Sequence, residues 1–194
     1  MNKVIASIKK LPDQQYLLEC FDYAPDTGIL TWKERPQHHF KSVGRMLSIH
    51  KLWAGKPVGQ VGTKGHIHVE LDTCRYTAHR IIWKMWYGTD PAVYVDHING
   101  DKTDNRIANL REATNSQNQA NQRSRAKVSN ICVVGVNYHK RDKSYRAYMT
   151  VNGKSKHLGN YRNLQDAIKA RQEAEILYQG EFSPRIYEQN NGKK

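Results

Sequence analysis

Residues 95–101 read Val-Asp-His-Ile-Asn-Gly-Asp, and this stretch places the strongest constraint on the expected fold. Its Asn99-Gly100 pair predicts a tight turn, because both residues tolerate a positive φ. Asp96 and His97 come just before the turn, and Asn109 and Asn118 follow it. A carboxylate, an imidazole and two amides are groups that can hold one hard divalent cation beside a base that activates water.

The residues around this stretch predict a ββα unit. A strand is expected over 93–95, a short return strand over 109–113, and a capped helix from 115 to about 123. Neighbouring residues on a strand point to opposite faces. Asp96 and His97 can therefore face one point only where the strand ends and the chain turns.

Both flanking regions predict mixed structure. The N-terminal region is expected to form a helix over 12–23, strands over 29–32, 66–71 and 74–77, and a helix over 78–87, with 33–60 irregular. The C-terminal region is expected to form strands over 134–138, 145–151 and 157–161, followed by a helix capped by Asn163. Asn152-Gly153 predicts the hairpin turn between the last two strands.

These patterns predict an α+β protein with five segments. The expected segments are an N-terminal α+β region over 1–88, the ββα motif over 89–123, a basic linker over 124–132, a three-stranded sheet with one helix over 133–182, and a disordered tail over 183–194.

Composition excludes several classes of protein. Hydrophobic residues make up 38% of the chain and the mean hydropathy is −0.81, so no apolar run approaches a membrane span. The first ten residues hold too short an apolar stretch for a secretory signal, which predicts an intracellular protein without a membrane partner. The three cysteines, Cys20, Cys74 and Cys132, lie far apart without a CxxC pair. We therefore expect reduced thiols, no disulfide framework and no structural zinc.

The charge distribution favours a nucleic-acid partner. The formal net charge is +13, divided into +6 over residues 1–88, −1 over 89–123 and +8 over 124–194. Basic flanks suit phosphate contacts, and a near-neutral middle that contains carboxylates suits a cation site. A merely solvated basic surface is the alternative, and the uneven distribution disfavours it.

Residues 93–122 resemble the HNH endonuclease family, and most closely its phage-borne, homing-type members. The resemblance rests on Asp96-His97, the Asn99-Gly100 turn, Asn109-Leu110-Arg111 and Asn118, because residue types and spacings fit together. It implies a ββα-metal nuclease core that acts on double-stranded DNA. The expected location is cytoplasmic, which would be the host cytoplasm if a phage encodes the chain.

The resemblance also implies roles for the individual residues. Asp96 and Asn118 would bind one divalent ion, for which Mg²⁺ is favoured and Mn²⁺ is the alternative. His97 would be the general base, and Asn109 would support catalysis by fixing the hairpin and orienting the His97 ring. The family often has His where this chain has Asn118, and a neutral amide is a weaker ligand. Taken one at a time, all four residues could instead be ordinary turn formers or structural polar groups.

Residues 134–180 resemble the AP2 DNA-binding domain, in which a three-stranded sheet enters the major groove and a helix packs behind it. The resemblance rests on Gly135-Val136, the run 145–148, the run 157–161, and Ala167 and Ala170 of the helix. The expected DNA-contacting residues are Asn137, His139, Arg141, Lys143, Arg146, Tyr148, Lys156 and His157. Strand alternation removes part of this set, but the phase stays open, and the base-reading residues of plant members are mostly replaced here.

Other histidines and Arg80 have open interpretations. Arg80 either contacts phosphate or packs under the hairpin, with packing slightly favoured. His66 and His68 share one strand face, but without a third ligand an exposed or DNA-facing role is the better interpretation. His38 and His39 have the same interpretation.

Two functions from different classes follow. The first is a metal-dependent endonuclease that nicks or cuts both strands, as a monomer or homodimer. The second is a catalytically weak or inactive DNA-binding regulator that uses the AP2-like module. The intact Asp96-His97 pair favours the first, because a degenerate copy usually loses its base. The charge layout makes a purely structural role the least compatible.

Overall fold

The computed structural model describes residues 9–121, 134–151 and 153–191, without the side chains of 187–189 and 191. Its helices are α1 (Gln14–Cys20), α2 (Val43–Trp53), α3 (Ala78–Tyr87), α4 (Asn115–Asn121), α5 (Leu164–Gln179) and α6 (Pro184–Asn191). Its strands are β1 (Phe21–Ala24), β2 (Ile29–Trp32), β3 (Gln60–Val61), β4 (Ile67–Leu71), β5 (Cys74–Thr77), β6 (Tyr94–His97), β7 (Leu110–Ala113), β8 (Val136–His139), β9 (Ser144–Val151) and β10 (Lys154–Tyr161). The mixed α+β class is confirmed.

The described residues form two compact units. The first contains the described residues up to His97 together with 101–112, and the second contains 98–100 and the described residues from Ala113 onward. Among the described helices, none is both long enough and apolar enough to span a bilayer.

The first unit is built around α3. This helix packs against α1, β4, β5 and β6. Its core includes the fully buried side chains of Leu17, Phe21, Val69, Leu71, Ile81 and Ile82. Gly88 ends α3 in the left-handed conformation, with φ 77° and its N–H on the carbonyl of Lys84. The predicted strand over 29–32, hairpin partner over 74–77 and helix over 78–87 are confirmed at these bounds.

Two expectations for the first unit were wrong in part. The helix predicted over 12–23 stops at Cys20, because Phe21 enters a hairpin in which it pairs with Trp32. The stretch 33–60 is not irregular throughout, since α2 occupies Val43–Trp53. The Ser42 side chain caps α2 by accepting from the Arg45 N–H at 3.3 Å, so a local cap outweighs the Gly and His content.

The second unit has a three-stranded antiparallel sheet in the order β10-β9-β8, with α5 against it. Val136, Ala147 and Ala167 form its buried centre. Val151 pairs with Lys154, and Gly153 has φ 75°. Residue 152 of the predicted turn lies outside the described residues. The expected three strands and helix are confirmed, and Asn163 caps α5 by accepting from Gln165 N–H.

The C-terminal segment differs from the expected disordered tail over 183–194. Residues Pro184–Asn191 form α6, and Arg185 Nε lies 2.5 Å from Glu175 Oε2 of α5. Ser183 Oγ also accepts from Arg185 N–H at 3.3 Å. The Ser183 cap and the Arg185–Glu175 ion pair therefore stabilise a helix in a segment whose polar composition alone predicts disorder.

Candidate functional site

His97 ends β6, and its side chain is held by an amide from the following loop. The ring is 3% exposed, and its Nε2 lies 3.0 Å from Asn105 Oδ1. Because an amide oxygen only accepts, Nε2 carries the proton and Nδ1 of the neutral ring presents a lone pair. Burial lowers the pKa of His97, while the Asn105 hydrogen bond and the Asp96 carboxylate act in the opposite direction. Near pH 7 the ring is therefore in the neutral form that a general base requires.

Asn105 is itself fixed from two sides. Its side chain is buried, and its carbonyl accepts from the Tyr23 hydroxyl at 3.0 Å. Gly28, in the β1–β2 turn, lies against the same loop, where a Cβ would come within 2.5 Å of Arg106 N and 2.7 Å of Asn105 C. The turn between the first two strands therefore supports the loop that orients His97. Sequence reasoning missed Asn105, since an Asn in a polar loop is most often a turn former.

Asp96 is a buried carboxylate whose orientation is set by Arg111. It is 5% exposed, and Nε and Nη2 of Arg111 each lie 3.0 Å from its Oδ2. Arg111 is on β7, which pairs with β6. The two strands thus bring a guanidinium to the carboxylate directly before His97.

The two predicted asparagines lie in different units. Asn109 is buried in the first unit, and its Nδ2 donates to the Asp104 carbonyl at 2.8 Å, which braces the loop that carries Asn105. Asn118 lies on α4 in the second unit, and its side chain is half-buried. Thr114 caps α4 as predicted, because its hydroxyl accepts from Gln117 N–H and its own N–H donates to Gln117 Oε1.

Three histidines from separate elements converge in the first unit. His66 precedes β4, His79 is in the first turn of α3 and His97 ends β6. One ring nitrogen from each lies within 4.8 Å of the other two, and the ring centroids are 5.1 to 5.9 Å apart. Burial lowers the pKa of His66 to about 4 and that of His79 well below its usual value. The rings of His66 and His79 are therefore also neutral near pH 7.

Sequence reasoning considered His66 only with His68 and found no third ligand. The structure instead joins His66 to His79 and His97, while His68 is outside the cluster. The signal was present as three separate histidines next to element ends. Their convergence depends on long-range packing of α3 against β4 and β6, which no local pattern encodes.

Arg80 and His39, two further residues considered in the sequence analysis, each contact another residue of the first unit. Arg80 is half-buried, and its Nη1 donates to the Lys9 carbonyl at 3.0 Å. His39, expected to be exposed or DNA-facing, is a buried ring with Nε2 2.8 Å from Glu19 Oε2, because the 37–39 turn folds back on α1. His38 keeps a 70% exposed side chain, 3.4 Å from the same oxygen.

Strand register fixes the phase of the C-terminal sheet. Paired residues of neighbouring antiparallel strands share a face. Ala147 and Met149 are buried on the α5 side, so the residues that alternate with them face away from α5. The open face consists of Asn137, His139, Arg146, Tyr148, Thr150, Ser155, His157 and Asn160, paired across the three strands.

The register places the residues predicted to contact DNA in three locations, namely the open face, the β8–β9 turn and the α5 side of the sheet. Asn137, His139, Arg146, Tyr148 and His157 lie on the open face, and Arg141 and Lys143 lie in the turn between β8 and β9. Lys156 pairs with buried Met149 and is on the α5 side, where its Nζ lies 4.5 Å from the Tyr178 ring centroid.

Asp142 links two members of the open face. It lies 3.0 Å from His139 Nδ1 and 2.7 Å from Arg146 Nη2. Asn137 Nδ2 also donates to the Tyr148 hydroxyl at 3.3 Å. These contacts hold several polar side chains of the open face in place.

Residues 76–120 match a family model described as HNH endonuclease. Searches of curated proteins and of solved structures found no match. The matched range contains Asp96, His97, Asn105, Asn109 and Asn118. Nucleases of this family act on DNA and generally use a divalent metal ion. Residues 76–120 are therefore similar to HNH endonucleases, and this similarity supports a nuclease-type function in general.

Proposed function

We propose that the protein is a metal-dependent DNA endonuclease that hydrolyses phosphodiester bonds, with His97 as its general base. The observation that carries the proposal is the buried, neutral His97 ring, fixed through Nε2 by Asn105 inside the HNH-matched segment. We further propose a homing-type, phage-related enzyme that works as a monomer or homodimer in the cytoplasm.

His97 has the properties that proton abstraction from water requires. Its Nδ1 lone pair accepts the proton, and Asn105 Oδ1 keeps the ring in this tautomer. The ring becomes positively charged in that step. The carboxylates of Asp96, Asp101 and Asp104 favour the charged ring, so the protein stabilises the product of proton transfer.

Asp96 and Asn118 are the proposed metal ligands. Asp96 fits this role because it supplies a buried, oriented carboxylate, and Mg²⁺ is commonly held by one or two carboxylates with waters and phosphate oxygens. The assignment of Asn118 rests on the resemblance of residues 93–122 to the HNH endonuclease family. Mg²⁺ is the proposed ion, with Mn²⁺ as the alternative. When bound, the ion would supply electrostatic stabilisation of the negative charge that develops on the phosphate and the leaving oxygen.

Two other residues of the first unit position the proposed base and metal ligand. Arg111 orients the Asp96 carboxylate, and Asn109 braces the loop of Asn105. We propose that the second unit holds DNA through the open face of its AP2-like sheet, with Arg141 and Lys143 at its edge. Sheet-face residues of this kind supply phosphate contacts and base-edge contacts.

A catalytically weak DNA-binding regulator is the second candidate. The observation that favours it is the Asp96–Arg111 ion pair, because the guanidinium offsets the carboxylate charge that would attract a cation. A neutral amide at Asn118 acts in the same direction. Under this alternative the open sheet face would bind DNA and cleavage would be slow or absent.

Plasmid cleavage distinguishes the two candidates. Supercoiled DNA is incubated with the full chain and Mg²⁺ or Mn²⁺, with EDTA as the metal-free control. We expect metal-dependent nicking or linearisation, and a loss of at least about 100-fold in rate for His97→Ala, since general base catalysis contributes about 10²–10⁴-fold. His68→Ala is the matched control, because His68 is a nearby histidine outside the cluster.

The endonuclease proposal fails if wild type cuts nothing with either metal. It also fails if His97→Ala cuts as fast as wild type. DNA binding without cleavage in all variants would support the regulator instead.

A further inference from the structure

We propose that His66, His79 and His97 form a second cation site, one that takes a transition-metal ion such as Zn²⁺ and not Mg²⁺. This site differs from the oxygen-donor site proposed above in its ligands. It shares only one residue with the proposed reaction chemistry, His97.

The geometry brings three nitrogen donors to one point. The three ligand atoms lie within 4.8 Å of one another. In a tetrahedral site with Zn–N bonds of about 2.0–2.1 Å, the donor nitrogens are separated by about 3.3 Å. The cluster therefore closes on an ion by small ring rotations. His66 is the least buried member and has the most room to move.

Contacts around the rings favour metal binding through Nδ1 of His79 and His97. His97 Nε2 donates to Asn105 Oδ1, and His79 Nε2 lies 3.2 Å from the Thr77 hydroxyl oxygen. Metal-bound histidines characteristically engage an oxygen through the other ring nitrogen in this way. When the Thr77 hydroxyl accepts, the His79 Nδ1 lone pair points away from it.

His79 also supplies an independent observation. The residue is 6% exposed, and its Nδ1 is buried without a hydrogen-bond partner among the described residues. A buried polar atom without a partner costs free energy and calls for an explanation, such as a bound ion. A cation held between the three rings would satisfy this atom.

The donor set decides which ions bind. Three neutral imidazoles suit Zn²⁺ and its neighbours in the transition series, whereas Mg²⁺ prefers oxygen ligands. Three protein ligands leave a fourth position open, unlike the closed four-ligand sites that are structural. The fourth position would then be open to water or to another ligand from outside the protein.

Occupancy has a consequence for cleavage, and this consequence rests on the proposed function. An ion on His97 takes the lone pair that the general base uses. Zn²⁺ at low concentration would then inhibit cleavage supported by excess Mg²⁺. A chelator that binds Zn²⁺ much more tightly than Mg²⁺ would restore cleavage.

Binding is tested with Co²⁺, whose visible absorption reports low-coordinate nitrogen ligation. Glu19, His38 and His39 form a second group of possible ligands, so all chains carry His38→Gln, which removes the exposed member. We expect one Co²⁺ per chain with a visible band that Zn²⁺ abolishes and excess Mg²⁺ does not. His66→Gln should weaken binding by at least about 10-fold. His68→Gln should leave it unchanged.

Folding is checked by circular dichroism. Because His79 is buried, a loss of binding in His79→Gln could not be separated from a loss of folding, so the conclusion rests on His66→Gln and on the parent chain. Absence of the band in the folded parent chain overturns the proposal. So does equal Co²⁺ affinity in folded His66→Gln and in the parent.

Cleavage assays separate this proposal from the proposed function. Inhibition is measured within each variant as the ratio of rates with and without Zn²⁺. If the parent binds Co²⁺ but never cuts DNA with Mg²⁺, the endonuclease proposal fails and the cation site stands. If the parent cuts DNA and Zn²⁺ neither binds nor inhibits, the cation site fails and the endonuclease proposal stands.

Discussion

At the scale of single residues, the orientation of His97 depends on side chains that are far away in sequence. Asn105 fixes the ring, and Asn105 is supported by Tyr23 and by the close approach of Gly28. The pattern of residue types around Asp96-His97 predicts a general base and a metal ligand. It cannot predict the support, because an Asn in a loop and a Gly in a turn look alike whether or not they touch another segment.

Gly28 provides a direct test of this support. Gly28→Ala introduces a Cβ 2.5 Å from Arg106 N at φ 74°, whereas Gly55→Ala introduces one at φ 73° with nothing within 4 Å. Backbone strain of about 1–3 kcal/mol is common to both. We expect Gly28→Ala to lower the free energy of unfolding by more than Gly55→Ala, and to slow cleavage as well. Chemical denaturation and the plasmid assay measure the two effects. Equal losses of stability would contradict the contact.

The two described cysteines should differ in reactivity. Burial raises the pKa of Cys20 to about 12, and a hydrogen bond with Lys9 lowers the pKa of Cys74. Since the thiolate is the reactive form, Cys74 should be alkylated in the native state, with a rate midpoint at a pH below that of an unperturbed cysteine. Cys20 should react only on unfolding. The measurement uses Cys132→Ser, because Cys132 lies outside the described residues. Modification of Cys20 in the folded chain would contradict it.

At the scale of elements, the sequence predicted the helices and strands whose bounds are set by neighbouring turn, cap or stop residues. The strand at Ile29–Trp32 and the helix at Ala78–Tyr87 follow from turn and stop residues beside them. The helix at Val43–Trp53 was missed because its apolar residues are exposed and give no clean buried stripe, so only the Ser42 cap marks it. The helix at Pro184–Asn191 was missed because its support, Glu175, comes from another helix.

The open sheet face makes a prediction with a matched pair of variants. Arg146→Ala and Lys156→Ala each remove one positive charge, but the register places Arg146 on the open face and Lys156 on the α5 side. If the open face binds DNA, Arg146→Ala should weaken affinity and reduce the slope of log K against log salt by about 1. Lys156→Ala should change both far less. Fluorescence anisotropy over a salt series measures this, and equal effects would contradict the assignment of the face.

At the scale of the whole molecule, the net charge of the chain indicates a class of partner, whereas local sequence patterns do not predict the details of the site. A net charge of +13 indicated a polyanion, and the HNH match implies DNA. The three-histidine cluster could not be predicted in the same way. It requires β4, α3 and β6 to pack into one core, and each histidine alone is an ordinary residue at the end of an element.

The irregularity in β10 has a consequence for how the protein tolerates insertions and deletions. His157 pairs with Tyr148 and Gly159 with Ala147, so Leu158 is an extra residue that reverses the alternation along the strand. His157 and Asn160 share a face only because of it. Deletion of Leu158 would keep every polar residue of β10. It would, however, turn the side chains on one side of the deletion to the opposite face of the sheet. The open face of β10 therefore depends on the number of residues between His157 and Asn160 as well as on their identity.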